Sequence, residues 1–159
     1  MAKAKPIALV NLDTGQAWAF QFFPKSLGIE DRANWEAADV TMGTRPLMYA
    51  NREPQRISID EVWLDSSDAG VSLTEEIEGL RSLMKETNQR TPPALRLICG
   101  DWQQRVVLEE MKVEEQLFDR SGNPLRARIS LSFIEHVQIE RVTVRTIEPE
   151  EDFNPIGNF

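Results

Sequence analysis

The chain has 159 residues, of which 41% are hydrophobic and 28% charged, and its formal net charge is −8 at pH 7. This length accommodates one well-buried core and is short for two, and the composition excludes wholesale disorder. No window approaches the roughly 18 consecutive apolar residues of a membrane-spanning helix, and the acidic balance removes the long-range attraction to phosphate that non-specific nucleic-acid binding uses.

The first predicted element is a β-hairpin near the N-terminus. A short apolar run at residues 7–12 is followed by a turn sequence and then by Trp18, Phe20 and Phe22 at every second position. Alternation with period 2 is typical of a strand, so we expect these aromatic side chains to face the core. Pro24 ends the second strand because it has no amide hydrogen for the ladder.

The next segment, residues 25–54, has an irregular apolar pattern that is broken by Gly28, Gly43 and Pro46. At about 30 residues it is longer than an ordinary connection in a compact domain. The pattern leaves three interpretations open: a functional arm, an insertion, or a pair of weak strands.

The strand-like segment that follows contains two phases of alternation. Ile57, Ile59 and Trp63 share one phase, whereas Val62 and Leu64 fall on the other. One extra residue in a strand shifts the phase in this way, so we expect a β-bulge at residues 60–61.

One amphipathic helix is predicted over residues 72–88. Ser72 and Glu75 have the spacing of a capping box, in which two side chains satisfy free backbone amides at the helix start. The apolar positions of one helical face are Leu73, Ile77, Leu80 and Met84. This stripe predicts a helix that packs one side against the core.

The second half of the chain is predicted to consist mainly of strands. A buried strand at residues 94–99 and a long extended segment at residues 105–118 precede the cleanest alternation in the chain, in residues 125–133. In that last segment apolar residues alternate with polar ones, among them Arg126 and Arg128. We therefore expect a long hairpin whose second strand has one dry face and one wet face.

The predicted organisation is one domain with a tail. A further strand is expected over residues 139–146, and the acidic residues 147–159, which contain two prolines, are expected to form a flexible C-terminal tail. The β-rich domain would then span residues 1–146, with residues 25–54 as an irregular arm or insertion.

The sequence contains little of the chemistry that enzymes and metal sites require. His136 is the only histidine and Cys99 the only cysteine, so one chain cannot assemble a common Cys/His zinc site. Acid–base catalysis can use two neighbouring carboxylates. Doublets such as Glu109–Glu110 do not form such a pair by themselves, because adjacent residues of a strand point to opposite faces. Residues 65–70 have acidic oxygens and a glycine but lack the rest of a calcium loop. We therefore predict no catalytic residue, no metal site and no cofactor.

Three segments together resemble one protein family. Residues 20–26 read FQFFPKS, residues 54–65 read PQRISIDEVWLD, and residues 118–133 read FDRSGNPLRARISLSF. They resemble the tube-like domain of contractile injection systems and myovirus tails, which often precedes a LysM module in baseplate hub proteins. The third segment is the most specific, since it is similar to the family's Phe-x-x-Asp-Gly-x-Pro-x-Arg-Ala-x-Val-x-Leu-x-Phe. Phe23 and Ser121 depart from the Asn and Asp that are usual in the family.

The resemblance implies an α+β, mainly-β fold: an antiparallel β-barrel or sandwich of the phage tail-tube type with one flanking helix. It also implies that subunits join around a sixfold axis, so that strands of neighbours continue one sheet around a central channel.

The function implied by the resemblance is structural rather than enzymatic. The chain would form a ring at the junction of tail tube and baseplate hub, as a tube initiator or as a hub adaptor that links the tube to the central spike. Its partners would be further copies in a hexameric ring, the tail tube protein, and the hub, spike and wedge proteins of a virion tail or injection particle. DNA or cargo would pass through the channel without specific binding, and no membrane would be involved.

Several residues are predicted to contact other subunits. They are Trp35, Met48, Tyr49, Arg126, Arg128, Phe153, Ile156 and Phe159. Two other functions stay open at this point: a small β-barrel binding module or non-ring adaptor, and an enzyme that uses an acidic side chain such as Glu114.

Overall fold

The computed structural model describes residues 7–137 and contains mostly antiparallel strands with one short helix. The strands are β1 (Ala8–Asn11), β2 (Ala17–Ala19), β3 (Ser26–Glu30), β4 (Ala33–Ala37), β5 (Leu47–Arg52), β6 (Arg56–Asp65), β7 (Leu95–Cys99), β8 (Trp102–Phe118) and β9 (Pro124–Glu135). The helix α1 (Thr74–Arg81) continues into a 3₁₀ turn at Ser82–Met84. The predicted mainly-β α+β class is therefore confirmed.

Seven of the strands form one sheet in the order β2-β1-β7-β8-β9-β6-β3, and β4 pairs with β5 in a separate two-stranded sheet. Every pairing is antiparallel. The large sheet begins at β2 and ends at β3, so within residues 7–137 it is an open sheet and not a closed barrel. Of the two architectures that the resemblance implied, the open sheet fits a sandwich-like packing.

One face of the sheet is dry because apolar residues alternate with polar ones along each strand. In β9, Ala127, Ile129, Leu131 and Phe133 are at most 1% exposed. They join residues of β1, β6, β7 and β8 and the apolar side of α1 in one core. We call this side of the sheet the core face, and the opposite side the outer face.

The helix is shorter than the predicted 72–88, and its predicted capping box is absent. The N-cap residue is Leu73, which makes no side-chain capping bond, and the hydroxyl of Ser72 instead accepts a hydrogen bond from the amide of Thr74 at 3.2 Å. The apolar stripe is confirmed, because Leu73, Ile77 and Leu80 are buried. The change to a 3₁₀ turn after Arg81 coincides with the burial of Leu83 against the same core.

The predicted bulge is present in β6. The pairing of β6 with β9 shifts between Ile59 and Val62, and Glu61 has a positive φ of 52°. The extra residue moves Val62 and Leu64 onto the core face, where both are buried. Without it, the distal half of β6 would present its apolar residues to solvent.

Two predicted segments differ from the structure in extent. The second strand of the N-terminal hairpin, β2, ends at Ala19 and not just before Pro24, and of its three aromatic residues Phe20 is buried whereas Phe22 is half exposed. The segment 25–54 contains β3, β4 and β5, of which only β3 belongs to the large sheet. The predicted strand at 139–146 and the tail at 147–159 lie outside the described residues, and the domain boundary stays a prediction.

Replacing Leu97 by Ala should destabilise the fold by about 2–5 kcal/mol, because a fully buried leucine loses its packing contacts and leaves a cavity. Chemical denaturation of the purified protein measures this change. The matched control is Leu47→Ala, whose side chain is mostly exposed and should change the free energy of unfolding by less than about 0.5 kcal/mol. Equal effects at the two positions would contradict the core assignment.

Candidate assembly surfaces

The strand β3 forms one open edge of the large sheet. It pairs with β6 on one side, from Ser26 opposite Asp60 to Glu30 opposite Arg56, and no strand among residues 7–137 pairs with its other side. All five of its residues are exposed. Its core-face residues Leu27 and Ile29 belong to this exposed set although their cross-strand partners are buried.

The long strand β8 provides a second open edge. It pairs with β9 along most of its length, but β7 covers its other side only as far as Val106. From residue 107 to 118, the β7-facing side of β8 has no strand partner within the described part of the chain. Unpaired backbone donors and acceptors of this kind favour the addition of a strand from another molecule.

The hairpin of β4 and β5, which we call the arm, begins only three residues after β3 ends. Every residue of β5 and most residues of β4 are exposed. Trp35 and Tyr49 contact each other edge-to-face across the arm, with ring centroids 5.5 Å apart, and both are 57% exposed. Because apolar rings of this size are usually buried, this surface is typical of a contact site.

The base of the arm is fastened to the large sheet. Arg52 donates two hydrogen bonds to the carboxylate of Glu135, at 3.0 and 3.1 Å, and the amide of Gln55 donates to the same carboxylate at 2.9 Å. The side chain of Gln55 also donates to Asp31 at 3.0 Å. These bonds connect the base of the arm to the large sheet where β6 begins and β9 ends.

Arg126 and Arg128 lie on the outer face, in ion pairs that cross three strands. Arg126 contacts Asp65 of β6 at 3.1 Å, and Arg128 bonds to Glu114 of β8 and lies 3.4 Å from Glu61 of β6. Both arginines are partly exposed, so they remain accessible to a neighbouring subunit. Their ion pairs join β6, β9 and β8 on the wet side, where the guanidinium of Arg128 also lies 5.9 Å from the ring centre of Trp63.

Hydrogen bonds set the ionisation of these carboxylates. The bond from Arg128 lowers the pKa of Glu114, with a further contribution from Gln116, and the same pair raises the pKa of Arg128. The Ser67 hydroxyl and amide, followed by Arg126, lower the pKa of Asp65. Both shifts in pKa favour the charged carboxylates of Glu114 and Asp65.

A shallow groove of about 660 Å³ crosses the outer face above Gly28, Ser58 and Ser132. Its rim holds the ion pair of Arg56 with Glu109, at 3.1 Å. Within residues 7–137, no group of three His, Cys, Asp or Glu side chains is placed to hold a metal ion. In the same range, no helix has the length and apolarity needed to cross a membrane.

The structure places the predicted contact residues in two groups. Trp35, Met48 and Tyr49 come together on the arm, and Arg126 and Arg128 are neighbours on the outer face. The predicted residues Phe153, Ile156 and Phe159 lie outside the described range. Sequence reasoning missed the open edge at Leu27 and Ile29, for which the period-2 spacing of these two apolar residues was the available signal.

Open strand edges, an exposed aromatic arm and a polar outer face define a class of protein: a structural β protein that assembles with other subunits. The model of the contractile injection system tube protein family matches residues 9–143. The chain therefore belongs to this family, and the resemblance seen in its sequence is confirmed. No curated protein gives a significant match.

Membership of this family assigns the chain a coarse function. It is a structural component of a contractile injection system or phage-tail particle, and it acts by assembling with copies of itself and with other tail components. The two open edges and the arm are the surfaces of residues 7–137 that best suit such assembly.

Replacing Arg128 by Gln should raise the pKa of Glu114 toward its ordinary value of 4.5, because the largest cause of the lowered value is removed. NMR titration of the Glu114 carboxylate measures this shift. In the native protein the lowered pKa adds stability above the unfolded-state pKa, and this stability is lost as the pH falls through the folded-state pKa. Arg120→Gln, in the β8–β9 loop, is the matched control, and an unchanged Glu114 pKa in Arg128→Gln would refute the assigned contact.

Proposed function

We propose that the chain forms a ring at the junction between the tail tube and the baseplate hub, as a tube initiator or a hub adaptor. The observation that supports this proposal is the pair of open edges at β3 and β8. The strands β8, β9, β6 and β3 alternate in direction, so β3 runs antiparallel to β8. If copies are related by rotation about an axis roughly parallel to the strands, β3 of one copy meets β8 of the next in the antiparallel sense.

A ring of this kind would satisfy both edges in every copy. Four strands from each of six copies give a wall of about 24 strands. With a spacing of about 4.8 Å between strands, the circumference of this wall corresponds to a diameter of roughly 37 Å. Tilt of the strands relative to the axis would widen it further. Sheets of this size enclose an open channel and not a filled core. Because every copy gives one edge and receives one, the contact is heterologous and closes through rotation.

The outer face would line the channel, since α1 and the core occupy the other face. Acidic residues outnumber basic ones on the outer face of the described strands. The acidic ones are Glu30, Asp60, Glu61, Asp65, Glu109, Glu110 and Glu114, and the basic ones are Arg56, Arg96, Arg105, Lys112, Arg126 and Arg128. Such a surface repels nucleic acid and lets it pass without being held.

The remaining predicted contacts complete the proposal. The arm would lie on the neighbouring copy, because it leaves the sheet directly after the β3 edge, and Trp35, Met48 and Tyr49 would be its contacts. Arg126 and Arg128 would contact the adjacent subunit at the outer face. Phe153, Ile156 and Phe159 of the tail would contact the tube protein or the hub, spike and wedge proteins. The place at the hub is supported by the resemblance to tube-like domains of baseplate hub proteins.

Light scattering coupled to size exclusion, and electron microscopy of the same fractions, test the ring directly. The native protein, alone or with its tail partners, should form closed rings of about six copies. Trp35→Ala combined with Tyr49→Ala should shift the protein toward monomer, because the arm loses its aromatic contacts. Met42→Ala is the matched control, since Met42 is exposed between β4 and β5 but outside the hairpin strands. A strict monomer that ignores its partners would refute the ring and favour a binding module.

Charge reversal tests the channel face. Assembled rings of the native protein should bind little duplex DNA at low salt, whereas rings that carry Glu110→Lys and Glu114→Lys should bind it with a strong salt dependence. Filter binding across a salt series measures this difference. The control reverses Glu75 and Glu76 on α1, away from the outer face, and equal DNA binding by the control would show that the outer face does not line the channel.

A further inference from the structure

We infer that Ile29 and Leu27 of one copy lie opposite Met111 and Val113 of the next copy, and we call this contact the apolar seam. The inference rests on the ring proposed above, and it specifies which residues join the two open edges. Its starting point is an anomaly on β3: Leu27 and Ile29 lie on the core face, yet they are 38% and 44% exposed. Their neighbours across the β3–β6 pair, Ile59 and Ile57, are buried.

The backbone groups of Leu27 and Ile29 point toward the open edge. In an antiparallel sheet, successive residues bond alternately to the strand on one side and to the strand on the other. The amide of Glu135 donates to the carbonyl of Gln55 at 2.8 Å, so the odd-numbered residues of β6 before the bulge bond to β9 and the even-numbered ones bond to β3. The β6 residues opposite Leu27 and Ile29 are odd-numbered, so these two residues of β3 direct their backbone groups away from β6.

The same alternation applies to β8. The amide of His136 donates to the carbonyl of Arg105 at 2.9 Å, so residues of β8 that share the phase of Arg105 bond to β9. The irregularity between Leu108 and Glu110 shifts the count by one residue, so beyond it the even-numbered residues of β8 bond to β9 and Met111 and Val113 do not. Both lie on the core face, opposite buried residues of β9. Their backbone groups therefore point to the side that β7 leaves uncovered, and their side chains pack only partly against the core.

The β3 edge and the β8 edge therefore match in their backbone groups and in their side chains. Within residues 7–137, each presents backbone groups without a strand partner at residues whose side chains are apolar, half covered and on the core face of the sheet. When such residues form a hydrogen-bonded pair, their side chains lie side by side on the same face. A slip of one residue would remove the backbone bonds and place Leu27 or Ile29 opposite the charged Lys112.

The register between β3 of one copy and β8 of the next follows from the features that limit the free edge of β8 at each end. The strand β7 covers the edge of β8 up to Val106, and the pairing of β8 shifts between Leu108 and Glu110, which interrupts regular pairing there. Beyond Val113 the next core-face residue is the charged Glu115. The regular apolar positions that remain are Met111 and Val113, which in the antiparallel sense receive Ile29 and Leu27.

The occupant of each edge is a second copy of this chain. The two edges belong to one molecule, run antiparallel to each other and have matching faces, so each supplies what the other lacks. A tube protein assembles from copies of itself, and a rotational arrangement of copies brings these two edges together repeatedly.

Charge pairs test the apolar seam. Ile29→Glu alone and Met111→Lys alone should each cause loss of rings, because each places a charge against an apolar partner. The double variant Ile29→Glu with Met111→Lys should restore rings, since the glutamate of one copy then faces the lysine of the next. The matched control is Lys112→Glu, a charge change at the adjacent position on the outer face, which should leave ring formation intact. Circular dichroism and thermal melting check that every variant is folded.

Cysteine cross-linking gives an independent measurement if a charged variant fails to fold. In a Cys99→Ser background, Leu27→Cys with Val113→Cys should yield oxidised multimers up to a closed ring, whereas Leu27→Cys with Lys112→Cys should not. Rings that survive Ile29→Glu, or that form without cross-links, would overturn the apolar seam and leave the ring itself standing. Absence of rings from the native protein would overturn the proposed function and the apolar seam with it.

Discussion

Backbone amide and carbonyl groups at the edges of the sheet are the constraint on which the proposed assembly of this protein depends. A strand bonds to a neighbour on each side, and an exposed border leaves a row of strong donors and acceptors without protein partners. In the described chain this occurs along β3 and along the distal part of β8. A small domain can cover such edges with a loop or a helix, but here α1 packs on the core face, and no strand of residues 7–137 pairs with either edge.

The two faces of the sheet carry different residues because successive side chains of a strand point to opposite sides. On the core face, residues of five strands and the helix share one cluster, which fixes the shape of the subunit. On the outer face, ion pairs of Arg126 and Arg128 connect β6, β9 and β8. Exposed ion pairs of this kind add little stability.

The sequence was sufficient for features that depend on local periodicity. The alternation in residues 125–133 predicted the faces of β9, and the change of phase after Ile59 predicted the bulge in β6. The predicted start of the helix was wrong. A capping box is a local pattern, and here the hydroxyl of Ser72 accepts a hydrogen bond from the amide of Thr74 and not from the third residue of a helix.

The candidate site depends on pairings that periodicity does not report. Trp35 and Tyr49 are far apart in sequence and meet only because β4 and β5 form a hairpin outside the main sheet. The open edge of β3 follows from strand order, since a strand of the same composition in the middle of a sheet would have no free side. The residues of Ser26–Glu30 do not indicate whether a further strand pairs with the second side of β3. The matching phase of Leu27 and Met111 becomes visible only once the hydrogen-bonding direction of each strand is known.

An open edge that recruits one correct partner must also avoid incorrect ones. The β3 edge is only five residues long, and short edges give little affinity to an arbitrary strand. The β8 edge is longer but carries Glu109, Glu110, Glu114 and Glu115 within its free stretch, so two β8 edges repel each other. Pairing of β3 with β3 would leave the backbone groups of both β8 edges without partners. Pairing of β3 with β8 gives partners to one β3 edge and one β8 edge each time a copy is added. Because the proposed contact is heterologous, the rotation between neighbouring copies decides between a closed ring and an open filament.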